Sequence, residues 1–306
     1  MIHDCLIIGG GPAGLVAATY LARFRRDVRV IDAGSSRAAL IPLSHNCPGF
    51  PDGISGRDLL TRLREQAKRY GTTLTAGRVD RIECDSDGLF HATAASERID
   101  ARTVVIATGV LDLEPTLPKT NEAVRRGLIR HCPICDGYEV IGKRVAVLGR
   151  GTKGAREALF IRHFSASLTL FTLGTPYDID DKAWTLLQER GITVVDDMVR
   201  EVHYEAGAIV GIETEAGKNY QFDTIYSALG CKVRSDVAET AGVCCDESGQ
   251  ILVDDHQRTN VPRIYAVGDV ANDLNQISVA AGHAAIAATT IHNELQAEWS
   301  DALLTK

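Results

Sequence analysis

A chain of 306 residues with 45% hydrophobic content can bury about two cores. Its formal net charge of −7 excludes a general affinity for nucleic acid or anionic membrane. No apolar run of about 18 residues could span a bilayer, and the N-terminus lacks a charged, apolar, small-residue leader. The expectation is therefore a cytoplasmic chain in which most of the eight cysteines are reduced thiols.

Asp4-Cys5-Leu6-Ile7-Ile8 has the composition of a buried strand and runs into Gly9-Gly10-Gly11-Pro12-Ala13-Gly14. A helical stretch from Leu15 to Arg25 follows, then a second strand, Val28 to Ile31, ending in Asp32. Strand, G-x-G-x-x-G turn, helix and an acid about twenty residues on make a dinucleotide fingerprint. In that pattern Gly9 permits the tight turn, Gly11 lets the backbone approach a pyrophosphate, and Gly14 lets helix and strand pack. The pyrophosphate rests on the helix N-terminus, beside Pro12 and Ala13, where unpaired N–H groups and the dipole favour anions. Asp32 accepts from ribose hydroxyls.

Residues 34–56 read as a loop, because His45-Asn46-Cys47-Pro48-Gly49-Phe50-Pro51 cannot continue a helix. A helix is expected from about Gly56 to Tyr70, strand and hairpin material to Arg98, and a buried strand at Val104–Ala107 that ends in Thr108-Gly109. Pro115 and Pro118 mark a linker.

His131-Cys132-Pro133-Ile134-Cys135-Asp136-Gly137 comes next. Two thiols separated by two residues can close a small disulfide ring or supply half of a zinc site. The zinc reading needs a second ligand pair, and Cys244-Cys245, being adjacent, suits chelation poorly. The segment lies between two glycine-rich fingerprints, so the favoured reading is a redox dithiol fed by a flavin, with no metal. His131 is read as incidental to that motif. Cys5, Cys84 and Cys231 are taken as small packing residues, and Cys47 and Cys244-Cys245 are given no relay role.

The strand Arg144–Leu148, the turn Gly149-Arg150-Gly151-Thr152-Lys153-Gly154, a helix to about Phe164 and the strand Leu168–Phe171 repeat the fingerprint. The repeat implies a second Rossmann-like domain inserted into the first. Thr172-Leu173-Gly174-Thr175-Pro176 supplies neither an arginine for a 2′-phosphate nor an acid for a 2′-hydroxyl, so NADPH is disfavoured. Arg150 and Lys153 read as solvated helix-start charges, with a second nucleotide or flavin as the alternative. The chain returns with Ile264 to Asp269, a strand whose terminal carboxylate is placed to accept hydrogen bonds from a polyol such as ribityl. Gln276 to Leu295 reads as a long alanine-rich helix. Trp299 is assigned to packing, with stacking on a flavin or partner subunit as the alternative.

Gly-x-Gly-x-x-Gly at 9–14, Asn-x-Pro-Gly-Phe-Pro at 46–51, Ala107-Thr108-Gly109, Cys132-x-x-Cys135-Asp136-Gly137, the glycine motif at 149–154 and Gly268-Asp269 occur in one order. Over essentially its whole length the chain resembles the low-molecular-weight thioredoxin reductase family. The resemblance implies an α/β fold of two Rossmann-like dinucleotide-binding domains. An FAD domain would comprise 1–113 and 243–306, with an inserted NAD(P)H-binding-like domain at 114–242 carrying the dithiol. It also implies FAD as cofactor, a homodimer and a thioredoxin-like partner. Matched residue by residue, Cys132 and Cys135 would be the redox pair, Cys135 the flavin-facing thiolate and Asp136 the acid or base for the dithiol. Gly268, Asp269, Gln276 and Ile277 would line the FAD, together with Asn46, Ala107, Thr108 and Gly109.

Three departures qualify the resemblance. The family's His-Arg-Arg-x-x-x-Arg stretch is missing after Phe171, which removes charge-assisted bonds worth about 1.5–3 kcal/mol each from NADPH affinity. Its Gly-Gly-Gln-Leu is replaced by Ser36-Arg37-Ala38-Ala39-Leu40. Gly-Tyr-Glu after the second cysteine is similar to nucleotide-independent relatives, the fungal dithiol oxidases and the ferredoxin- or flavin-linked disulfide reductases. The expectation is a disulfide reductase of a thioredoxin-like or small substrate, with ferredoxin or another non-NADPH donor. The alternatives are a dithiol oxidase using oxygen, an NADPH-dependent reductase with an atypical nucleotide site, and a flavin-binding sensor without catalysis.

Overall fold

A computed structural model of the chain describes residues 1–94, 97–115, 120–205 and 208–304. Packing divides it into one unit of Met1–Ala39, Ile54–Leu111 and Lys232–Lys306, and a second of Leu40–Gly53 and Asp112–Cys231. The sequence reading put the return to the first unit at 243, whereas the packed chain rejoins it at Lys232. Hydrogen bonds show why: Arg234 N–H donates to the Gly109 carbonyl at 3.0 Å, Thr108 Oγ1 to the Arg234 carbonyl at 2.6 Å, and Ile82 N–H to Thr240 Oγ1 at 3.0 Å. Pro118 lies outside the described residues, as does the side chain of Trp299. No helix among the described residues is long and apolar enough to cross a membrane.

The first unit is built on a seven-stranded sheet. Its order is Thr73–Ala76, Val28–Asp32, Ile2–Ile8, Glu97–Ile106, Phe90–Ala94 and Val79–Cys84, and Ile264–Ala266 also pairs with Glu97–Ile106. Ile2–Ile8 pairs in parallel with Val28–Asp32 and Glu97–Ile106, so these strands end level, with Ile8 opposite Ile31 and Ile106. The expected helix at Leu15 starts earlier, at Pro12, and ends at Arg23. Gly11 is its N-cap, and proline is tolerated in a first turn, where its missing N–H has no partner to lose. Ala13, Ala17, Ala18 and Leu21 of this helix pack with Ala280, Ala284, Ala287, Ala288 and Ile291 of helix Ile277–Leu304 over Cys5, Ile7, Val28 and Val30. Alanines on both facing helices allow that close approach.

The second unit holds a five-stranded parallel sheet in the order Thr193–Val195, Ser167–Phe171, Arg144–Gly149, Thr224–Ala228 and Ile129–Arg130. Side chains of Arg144–Gly149 alternate between its faces, as a pleated strand requires. Val145 and Val147 meet Ala155, Ala158 and Ile161 of helix Gly151–Ile161, while Ala146 and Leu148 meet Val124, Ile212 and Phe222. A separate antiparallel sheet, Val199–Glu205, Ala208–Thr214 and Asn219–Tyr220, supplies part of that second face.

Candidate active site

In the first unit the glycine turn joins Ile8 to the helix at Pro12, and its tightness is imposed by backbone contacts. A Cβ on Gly14 would lie 2.0 Å from the Gly9 carbonyl oxygen, and one on Gly9 would lie 2.2 Å from that of Ala107. Gly11 differs: a Cβ there would meet only Ser36 Oγ, at 3.3 Å, so its outer side is open. The Asp32 carboxylate sits against Gly10, accepting from Gly34 N–H at 2.9 Å and Arg64 Nη2 at 3.2 Å. Gly268, with φ +77°, packs where a Cβ would approach Ala13 Cβ to 2.9 Å and Ala280 Cβ to 3.5 Å. That contact gathers the first glycine helix, Asp269 and the start of helix Ile277–Leu304; Arg37 Nη1 lies 3.7 Å from Asp269 Oδ2. Gln276, whose Nε2 donates to the Leu274 carbonyl at 3.4 Å, immediately precedes that helix.

These groups fit an FAD. The open backbone at Gly11 suits a pyrophosphate over a helix N-terminus, and Asp32 and Asp269 offer acceptors for hydroxyls. Two polar atoms flanking the start of the last helix, Asn275 Oδ1 and His283 Nδ1, are buried without a hydrogen-bond partner. Burial also lowers the His283 pKa, favouring the neutral imidazole.

In the second unit Cys132 and Cys135 are joined by a disulfide. Cys132 caps the single helical turn Pro133–Asp136, and its Sγ accepts from Cys135 N–H at 3.2 Å. Gly137 follows because a Cβ there would lie 2.5 Å from the Pro133 carbonyl oxygen and 2.6 Å from the Phe164 ring. Asp136 is held at both oxygens, by Tyr226 Oη at 2.7 Å on Oδ1 and by Arg130 Nη1 at 2.7 Å on Oδ2. Burial nevertheless raises its carboxyl above the usual range, outweighing the Arg130 charge and both hydrogen bonds. His131 Nε2 lies 3.2 Å from Glu114 Oε2, and His45 Nδ1 lies 2.7 Å from Glu139 Oε1.

Asn46, expected at the FAD, lies in the second unit with the dithiol, where its Nδ2 donates to the Ile134 carbonyl at 3.5 Å. Cys47, Cys244 and Cys245 are free, and burial raises the Cys47 and Cys245 thiols, making them poor thiolates. The sequence reading missed Arg64, Arg130, Glu114 and Tyr226. Of these only Arg130, two residues before Cys132, carried a local signal: a cation next to a redox motif.

The second glycine turn is closed by its own chain. Gly151 has φ +54°, and a Cβ on it would lie 3.1 Å from the Asp178 carbonyl oxygen. Thr152 Oγ1 donates to that carbonyl at 3.2 Å and accepts from Asp180 N–H at 2.8 Å. The turn Pro176–Asp178 thus sits on the start of helix Gly151–Ile161, whereas the corresponding glycine of the first fingerprint, Gly11, has its outer side open. The Lys153 ammonium lies 3.2 Å from the Cβ position of Gly230, at the end of the neighbouring strand.

Residues 3–284 match the family model described as pyridine nucleotide-disulphide oxidoreductase. The chain is 28% identical over 309 residues to the thioredoxin reductase of Bacillus subtilis (strain 168), covering 96% of this chain and 95% of that one. Among solved structures it is similar to HlmI, with TM-score 0.92 and 28% identity over 99% of this chain and 95% of that one. The thioredoxin reductase from Streptococcus pyogenes MGAS5005 gives TM-score 0.89 and 27% identity, covering 97% and 99%. The match runs through both units and both glycine turns, and the chain belongs to the pyridine nucleotide-disulphide oxidoreductase family, as a flavoprotein disulfide oxidoreductase of the low-molecular-weight thioredoxin reductase type.

Proposed function

We propose that this flavoprotein passes electron pairs between FAD, the Cys132–Cys135 pair and a thioredoxin-like protein or small disulfide, and that its donor is not NADPH. The observation that carries the donor reading is the Asp178 carbonyl seated on Gly151. An NADPH pyrophosphate needs that approach, and a carbonyl oxygen there repels an anion. Thr172 to Gly174 add no guanidinium to offset the loss. Ferredoxin or a reduced flavin are donors that need no such crevice.

Bound FAD supplies a carrier for two electrons. Gly11 and the start of helix Pro12–Arg23 would hold its pyrophosphate, Asp32 its ribose and Asp269 its ribityl chain. At the dithiol, Cys132 Sγ is the sulfur that already accepts a backbone N–H, so its thiolate is favoured on reduction. That makes Cys132 the thiol that exchanges with a partner disulfide, leaving Cys135 for the flavin. Asp136, with a raised pKa, holds a proton nearer neutrality than an ordinary carboxyl does. It can return that proton to the thiolate released when the disulfide opens.

The closed crevice favours a second reading equally: electrons enter from a dithiol and leave to oxygen. An anaerobic titration that follows the flavin absorbance band with NADPH, NADH and then a dithiol tests both. Bleaching by stoichiometric NADPH overturns the donor reading. Bleaching by dithiol alone upholds it. Admitting air then distinguishes an oxidase, which releases hydrogen peroxide, from a reductase, which reoxidises only with a disulfide protein. Light scattering on the same sample tests the expected homodimer.

A further inference from the structure

Tyr226 is fully buried in strand Thr224–Ala228, and its hydroxyl has two acceptors on one residue. Asp136 Oδ1 lies at 2.7 Å and the Asp136 backbone carbonyl at 3.2 Å. The other carboxyl oxygen is engaged by Arg130 Nη1 at 2.7 Å. Arg130 is itself tethered, its Nε donating to Thr224 Oγ1 at 3.2 Å, while that hydroxyl donates to the Leu128 carbonyl at 3.2 Å. A guanidinium carries donors only, so Oδ2 must remain an acceptor in every protonation state. A proton on Asp136 therefore sits on Oδ1, facing Tyr226. A phenol hydroxyl rotates, and it can donate and accept at once.

We propose that Tyr226 is a positioning residue whose hydroxyl alternates between Asp136 Oδ1 and the Asp136 carbonyl, so that the dithiol's acid is hydrogen-bonded in both its ionised and its protonated form. With Asp136 ionised, the hydroxyl donates to Oδ1. With Asp136 protonated, it accepts from Oδ1–H and turns its own proton to the carbonyl. This rests on the reading that Asp136 manages the dithiol's protons.

The charged and titratable groups around Asp136 are few. Arg130 and Tyr226 face it from two strands, and Glu139, paired with His45, faces it from the following turn. Cys132 and Cys135 share its turn, and His131, paired with Glu114, precedes them. Burial, then the neighbouring carboxylate, pushes the Tyr226 hydroxyl far above the ordinary tyrosine range. The phenol thus stays a donor while Asp136 titrates.

The exchange balances with Asp136 cycling one proton. A partner thiolate bonds to one cysteine sulfur as the Cys132–Cys135 bond breaks, and the departing thiolate takes the proton from Oδ1. The partner's second thiol returns a proton to the carboxylate and attacks the mixed disulfide. The partner's two sulfurs are then joined, and the electron pair rests on the reduced cysteine pair.

Tyr226→Phe keeps the ring and removes only the hydroxyl. In the holoprotein, the infrared carboxylic acid band assigned through Asp136→Asn gives the Asp136 midpoint directly. A donor to a charged oxygen is worth more than an acceptor for a neutral acid, so the midpoint should rise by roughly one pH unit in Tyr226→Phe. The pH profile of anaerobic flavin reduction by dithiothreitol should move with it, with about a tenfold slower rate at the wild-type optimum. A role in packing alone leaves both unmoved, and that result overturns the proposal. If dithiothreitol fails to reduce the wild-type flavin, the functional reading fails, while the infrared midpoints still decide the role of Tyr226. Should Tyr226→Phe not fold, 3-fluorotyrosine at 226, a stronger donor, must lower the midpoint; an unchanged midpoint overturns the proposal equally.

Discussion

Gly11→Ala separates what the first glycine turn does for the fold from what it does for the ligand. Gly11 has φ −79° and ψ −175°, extended backbone that alanine adopts freely. Its new Cβ would meet only Ser36 Oγ, at 3.3 Å, the end of a side chain that can turn away. The apoprotein should lose nothing, and could gain about 0.4–1 kcal/mol from a less flexible unfolded chain. The methyl would, however, stand where the pyrophosphate meets the helix start. Loss of one charge-assisted backbone bond, about 1.5–3 kcal/mol, weakens FAD about ten- to a hundredfold. Gly14→Ala is the contrast: its Cβ would lie 2.0 Å from the Gly9 carbonyl oxygen, a backbone clash that should cost at least about 1–3 kcal/mol of stability. The assay strips the flavin, measures apoprotein melting, and titrates FAD back by fluorescence quenching. A folded Gly11→Ala protein with wild-type FAD affinity would refute the placement of the pyrophosphate. A melting loss as large as that of Gly14→Ala would show that Gly11 serves packing.

Other outcomes follow from the same geometry. A nucleotide site with a dissociation constant of about 10 µM would stabilise the protein by about 2.7 kcal/mol at about 1 mM NADPH, raising the melting temperature by several degrees; differential scanning fluorimetry should show less than about 1 °C. Cys132→Ser and Cys135→Ser should each retain full flavin content while disulfide exchange, followed with an insulin or thioredoxin turbidity assay, drops to background. His91 lies between Asp100 Oδ1 at 2.8 Å and Asp85 Oδ2 at 2.9 Å. The hydrogen bond to Asp100 raises its pKa above 6.5, so its contribution is full below about pH 6.5 and is lost as pH rises through the folded value. Asp85 and Asp100 are depressed below 3.8, by the Leu89 N–H and by Arg98 respectively, so their share is lost only as pH falls through the folded values. The melting difference between wild type and His91→Gln should therefore be larger at pH 5.5 than at pH 9, and an equal difference at both would refute the coupling.

The features legible in the sequence are those fixed by neighbours along the chain. Gly9, Gly11 and Gly14 could be given separate tasks because a strand-turn-helix leaves each one a different neighbour, and Asp32 reaches the turn because the next parallel strand must end level with the first. Cys132 and Cys135 were legible for the same reason, their spacing being one helical turn. The errors have equally specific causes. Apolar spacing alone places the start of helix Pro12–Arg23 too late, because a first-turn proline adds nothing to that pattern, and it ends the last helix too early although no glycine or proline interrupts it after Gly282. Residues acting across long separations leave almost no trace: Tyr226 meets Asp136 from ninety positions away, and Arg64 meets Asp32 across thirty-two.

The two glycine turns show how far chain-local signals reach. At 9–14 and 149–154 the same spacing packs the third glycine on the first, Gly14 against the Gly9 carbonyl and Gly154 against Gly149 at 2.6 Å, but the middle glycine differs: Gly11 is an extended N-cap at φ −79°, whereas Gly151 is the first residue of its helix at φ +54°. Spacing therefore brings the first and third glycines together but fixes neither the backbone at the second nor the ligand. What the turn can hold depends on the segment that arrives opposite its second glycine. At Gly11 that segment offers a serine side chain which can rotate aside; at Gly151 it offers the Asp178 backbone, tied in by Thr152 and followed by the Asp180 cap of helix Asp181–Glu189, which accepts from Ala183 N–H at 2.7 Å. Opening the second turn would mean breaking the Thr152 bonds and displacing a capped helix start, at about 1 kcal/mol for the cap and a similar amount for each hydrogen bond. A dinucleotide must offset that cost without the arginines that usually grip its 2′-phosphate, whereas at Gly11 it displaces nothing of the kind.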